Sequence, residues 1–212
     1  MSSAYIDINT VFYGVDLQEV EGIKVGGSIS IDGDAEGIEL SLSGSGSVGG
    51  NLTCEKISIS GSFKVAGSIK CVEFEASGSI SIGNNVSCNN MEIPDGLKTK
   101  NIECDKIEVH GALKCGELYA REVRIGKKSK ILCNIIGKSI FIGNEAEVKS
   151  VIGERVHVEK RAEVDEIRYV NKADMNEDSE IGKLVKIDRL SKHIHMGKQQ
   201  VRVHNHECYM ES

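Results

Sequence analysis

The residues with the most evident chemical potential in this 212-residue chain are seven cysteines and six histidines. Cys54, Cys71, Cys88 and Cys104 recur at intervals of 17, 17 and 16 residues. Thiolates repeated at a fixed interval could ligate a soft metal or exchange disulfides. The equivalent positions further along carry Ala120, Gly137 and Gly153, which can do neither. The series therefore reads as a small apolar side chain filling a tight inward corner, a role free cysteine plays well. Cys115 and Cys133 read the same way at another inward position. No CxxC pair occurs and the cysteine count is odd, which predicts reduced thiols and a cytoplasmic protein.

The histidines concentrate at the end of the chain, as His193, His195, His204 and His206 beside Cys208. The spacing H-x-H…H-x-H-x-C matches no standard structural zinc site, so these residues read as a polar tail. His110 and His157 are isolated, and His157 should point outward between Val156 and Val158. The stretches IGKKSK, IGNEAEV and IGERVHVEKRAEV resemble the turns of left-handed β-helix acyltransferases, which advance in hexapeptide steps. The steps here mix five and six residues, and no partner is evident that would make His157 a base. The glycine-rich GSGSVGG lacks the Lys-Ser/Thr of a phosphate cradle and fits a bend. No P-loop, GxSxG, HExxH or dinucleotide fingerprint is present. No catalytic, cofactor or metal site is assigned, and the chain is read as a non-enzyme.

What surrounds the cysteines is more informative than the cysteines. Leu52, Ile69, Val86 and Ile102 each stand two residues before the thiol, and Ile57, Phe74, Met91 and Ile107 three residues after it. Ile59, Ala76, Ile93 and Val109 follow at five. The series continues through Leu118, Val123 and Ile125, then Ile135, Ile140 and Ile142, then Val151, Val156 and Val158. A third apolar pair completes each period: Phe63/Val65, Ile80/Ile82, Leu113/Cys115, Ile131/Cys133, Ala146/Val148 and Ala162/Val164. Alternation puts both members of a pair on one side of a strand. A shift of five between pairs keeps them inward only if the chain bends in between. Three bends per period make a three-sided coil, and coils stack at about 4.8 Å. Gly78, Gly83, Asn84, Asn85, Gly126, Gly143 and Asn144 are expected at the bends. The predicted fold is all-β, a single-stranded three-sided β-helix (β-solenoid) of about eight to ten short coils.

The composition agrees. There is no Trp, one Pro, and 23 Gly, as a narrow repetitive core requires. The expected organisation is an N-terminal arm or cap over 1–22, the solenoid over 23–190, and a polar tail over 191–212. Within it, Ile23, Val25, Ile29, Ile31, Ile38, Leu40 and Leu42 form looser opening coils. Ile181, Val185 and Ile187 form a degenerate last coil after the polar stretch KADMNEDSE. The net charge of −6 gives no reason to expect nucleic acid as a partner. Residues 1–50 carry eight acids against Lys24, whereas 182–202 carry six bases against Asp188.

The strings GSFKVAGSIKCVEFEASGSISIGNNVSC and GALKCGELYAREVRIG resemble the bactofilins, polymer-forming cytoskeletal proteins of bacteria, over roughly residues 25–190. The chain departs from that family in having Pro94 as its only proline and in a longer body. The resemblance implies a right-handed β-helix that self-assembles without nucleotide into filaments or sheets, through symmetric head-to-head and tail-to-tail contacts. It also implies a position near the membrane and recruitment of other proteins. The expected function is therefore scaffolding with itself as principal partner. The alternatives are a non-polymerising, adhesin-like binding module and, behind it, the acyltransferase.

Overall fold

The computed structural model describes residues 22–190, which are built from strands and turns without helix. The longest strands, Ala35–Val48, Leu52–Val65 and Ile69–Ile82, each wrap around most of a coil. Successive coils pair in parallel and in register, giving a β-solenoid of about ten turns.

Three stacked sheets make the three faces. The first face aligns Leu52 with Ile69, Ile69 with Val86, Val86 with Ile102 and Ile102 with Leu118. The second aligns Ile57, Phe74, Met91, Ile107, Val123, Ile140 and Val156. The third runs through Phe63, Ile80, Leu97, Leu113, Ile131 and Val148. All of these side chains are buried and form one continuous core. Each rung covers the apolar residues of the rung beneath it, so the hydrophobic gain is shared along the rod instead of being concentrated at a centre.

Bends between faces demand special backbone. Gly44, Gly61 and Gly78 sit one above another at the corner between second and third faces, with φ of 141°, 133° and 110°. A Cβ on Gly61 would lie 2.1 Å from the carbonyl oxygen of Gly44. GSGSVGG spans this bend, the third face and the next bend. Its Gly46 faces inward opposite Phe63, where a Cβ would meet the Phe63 ring at 2.9 Å.

Four expectations are corrected. The third pair does not keep one alignment: Ile131 pairs with Val148, so Val148 shares a column with Leu113 and not with Cys133. The strand Lys130–Ile142 takes an irregular step between Ile131 and Asn134, and Cys133 lies in it. The stretch KADMNEDSE does not interrupt the coils. Its first four residues complete the strand Glu163–Met175 and pair with Arg155–Val158; the following Asn-Glu-Asp turns the corner. In the last coil the inward first-face residue is Leu184, which pairs with Ile167, while Val185 pairs with the outward Arg168. At the start, Ala35 and Gly37 hold the inward first-face positions and Ile38 stays outside the core.

Candidate functional site

The thiol ladder is inside the rod. Gly37, Cys54, Cys71, Cys88, Cys104, Ala120, Gly137 and Gly153 follow one another at the same inward position. The four thiols are at most 2% exposed. Burial pushes the Cys54 thiol up to about 12, against a smaller opposing hydrogen bond with the Gly37 backbone. Cys71 and Cys104 are held far above the ordinary thiol range by hydrogen bonding to Cys88 and then by burial. Cys88 goes the other way: hydrogen bonds donated by Cys104 and Cys71 lower its thiol to about 5 against the opposing effect of burial, so a proton lost from the ladder would leave its charge there. Cys115, half-buried, is raised by hydrogen bonding to Cys133 and by desolvation. At 2% exposure or less, the four ladder thiols are closed off from solvent and pack against the core. Among the described residues no group of three or more His, Cys, Asp or Glu is placed to hold a metal.

The isolated histidines lie on the outside. His157 is exposed, as expected, and its Nε2 is 3.2 Å from Glu159 Oε1. That carboxylate is two residues along the chain, on the same side of the strand as His157 by simple alternation, a partner legible in the sequence and overlooked there. His110 Nε2 likewise sits 3.0 Å from Glu108 Oε1. Both pairs stand on open surface. His193, His195, His204, His206 and Cys208, with the arm over 1–21, lie outside the described residues.

Two corner devices had no recognisable signal in the sequence. The glycine column at 44, 61 and 78 ends at Asp95, whose Oδ2 accepts hydrogen bonds from the Gly78 N–H at 2.9 Å and the Ser77 hydroxyl at 3.0 Å. Further along, a left-handed residue turns the chain at three successive corners: Lys128, Glu145 and Arg161, with φ of 60°, 58° and 57°. Their charges alternate. Glu145 lies 3.5 Å from Lys128 Nζ and 2.7 Å from the Arg161 guanidinium. Desolvation works against the Glu145 carboxylate, but Arg161 and Lys128 outweigh it and hold its pKa below the usual range.

The outer side of the second face carries two columns of side chains. One contains Lys56, Glu73, Asn90, Lys106, Glu122, Ser139, Arg155 and Lys172. The other contains Ser58, Glu75, Glu92, Glu108, Arg124, Phe141, His157 and Asp174. The half nearer the N-terminus forms a shallow groove of about 360 Å³ edged by Glu73, Glu75, Glu92 and Glu108. On the other half the imidazole of His157 stacks on Phe141, with centroids 5.3 Å apart and planes at 13°, and Arg124 lies 5.0 Å over the same ring.

The two ends differ. At the N-terminal end Ile23, Val25, Ile29 and Ile31 are all buried. At the C-terminal end Met175 is 37% and Leu184 43% exposed. Among the described residues the closing strand Glu180–Lys186 pairs on one side only, with Glu163–Met175.

The described residues thus form a parallel β-solenoid whose polar and charged side chains are displayed on its outer faces. The chain matches no family model, no curated protein and no solved structure. No helix among the described residues is long and apolar enough to cross a membrane.

Proposed function

We propose that this chain is a structural protein that assembles with copies of itself through the ends of its solenoid into filaments or sheets. The observation that carries this reading is the C-terminal end. There, Met175 and Leu184 present apolar surface beside a strand that pairs on one side only among the described residues, and a strand edge of this kind recruits further strands. The resemblance to bactofilins supports the same reading. The acidic beginning and basic end of the sequence favour a head-to-tail joint, whereas the resemblance favours a symmetric one.

Negative-stain electron microscopy of the purified chain at low and high salt tests this. Filaments or sheets are expected, and their loss in high salt would assign the joint to charge. Charge reversal of Lys183 and Lys186 that leaves low-salt assembly intact would reject the electrostatic joint while keeping the apolar one. A second reading, a capped module that binds another protein along its side, is favoured by the outward Arg124–Phe141–His157 stack. Discrete single rods under all conditions would select it.

A further inference from the structure

We propose that the outer second face is a docking surface for a second copy of this chain, laid against it side by side and antiparallel. This contact is separate from end-to-end joining. Consider a twofold axis lying between two such faces, parallel to the strands, at the level between the Lys106 and Glu122 rungs. It reverses the direction of the rod but keeps each outer column opposite its own counterpart. Glu122 then meets Lys106 of the other copy, and Arg124 meets Glu108. One further step out Ser139 meets Asn90, and beyond it Arg155 meets Glu73 and His157 meets Glu75. The columns were placed by strand register, so these pairings follow from one choice of axis with no adjustment. The three pairs of formally charged residues, Glu122 with Lys106, Arg124 with Glu108 and Arg155 with Glu73, are all of opposite sign, and symmetry makes each pair twice. The protruding Arg124–Phe141–His157 stack enters the acid-edged groove.

The parallel alternative is poorer on the same map. An axis along the rod sets one column against the other within a rung, which also makes three opposite-charge pairs, Lys106 with Glu108, Glu122 with Arg124 and Lys172 with Asp174. It sets Glu73 against Glu75, however, a like-charge juxtaposition, gives Arg155 no carboxylate, and turns the aromatic stack away from the groove. In the antiparallel arrangement the only like-charged contact is Lys172 with Lys56 at the rim. Each lysine already has a carboxylate within its own chain, Asp174 at 2.6 Å and Glu73 at 4.0 Å. Eight rungs at about 4.8 Å, with four residues per strand at about 3.3 Å, give roughly 500 Å² per copy. The total of about 1,000 Å² is at the lower limit for a specific complex, so the dimer should be of micromolar strength and sensitive to salt.

The test is a charge exchange in the full chain, read by sedimentation equilibrium at low salt. Arg155→Glu and Glu73→Arg are each expected to weaken dimerisation about tenfold or more, and the double variant to return it to within about threefold of the parent. Single variants without effect, or a double variant no better than either, would overturn the proposal. Spin labels on Glu55→Cys and Lys138→Cys, each in a Cys208→Ser background, give an independent measure that leaves the charge pairs intact. From the rung spacing, like labels should be about 35 Å apart for Glu55 and about 18 Å for Lys138. End-to-end joining alone puts the Lys138 labels about 34 Å apart or more, whichever ends meet. That result would reject the lateral dimer and keep end assembly. Short distances in single rods that form no filaments would do the reverse.

Discussion

Gly61 shows how little freedom a corner of this fold allows. Its φ of 133° lies in a region where side chains are strained, and an added Cβ would lie 2.1 Å from backbone of the coil below. Gly61→Ala should therefore cost about 3 kcal/mol or more in urea unfolding. Gly96 meets only a carbonyl oxygen at 3.7 Å, and Gly96→Ala should stay within about 0.5 kcal/mol. Equal effects would mean that the corner can relax. The buried thiols make a second case. Cys54 titrates near 12 when folded and near 9 when free, so the folded state holds its proton more tightly. The corresponding stabilisation is complete below about pH 9 and is lost as pH rises from there towards 12. The melting temperature should fall across that window, less steeply in Cys54→Ala, whose side chain the fold already accepts at Ala120. A thiol reagent at neutral pH should label Cys54, Cys71, Cys88 and Cys104 only as fast as the chain unfolds.

At the scale of the strand and its bends, the ladder Lys128–Glu145–Arg161 ties three successive corners together. The Glu145 carboxyl has a lowered pKa, so its contribution is present above the ordinary carboxylate value of about 4.5 and is lost as pH falls through the folded value. Glu145→Gln should lower the melting temperature at pH 7 and do so progressively less as pH falls below about 4.5, a trend that thermal unfolding over a series of pH values measures. The inward columns were legible beforehand because alternation and a repeat of 16 or 17 residues put Leu, Ile, Val and Cys in constant relation. What stayed hidden has physical causes. A single irregular step near Cys133 moves the third column by two residues without altering the composition of the repeat. Lys172–Met175 reads as loop because strand pairing there is satisfied by backbone, whatever side chains point outward. Leu184 and Val185 are adjacent apolar residues, and only register tells which one faces in. The Asp95 cap depends on contacts between coils 17 and 18 residues apart. The outer columns had no hydrophobic signature, although they hold most of the charge that could recognise a partner.

For the whole molecule, each coil touches only its neighbours, so stability is a sum of local and nearest-neighbour contributions. Amide exchange should grade along the rod. The strand Glu180–Lys186, covered on one side among the described residues, should exchange first, and strands such as Asn101–Val109, covered on both sides, last. Uniform protection from end to end would mean that the coils open only together.

The direction of the hydrogen bonds has a mechanical consequence. They run along the rod, from each coil to the next, so a load pulling the two ends apart strains the junctions in series and the weakest terminal coil peels first. Each peeled coil of 17 residues frees about 55 Å of chain and removes about 5 Å of rod. Stretched between its ends, the protein should lengthen in low-force steps of about 50 Å, paying out slack one turn at a time like line from a spool.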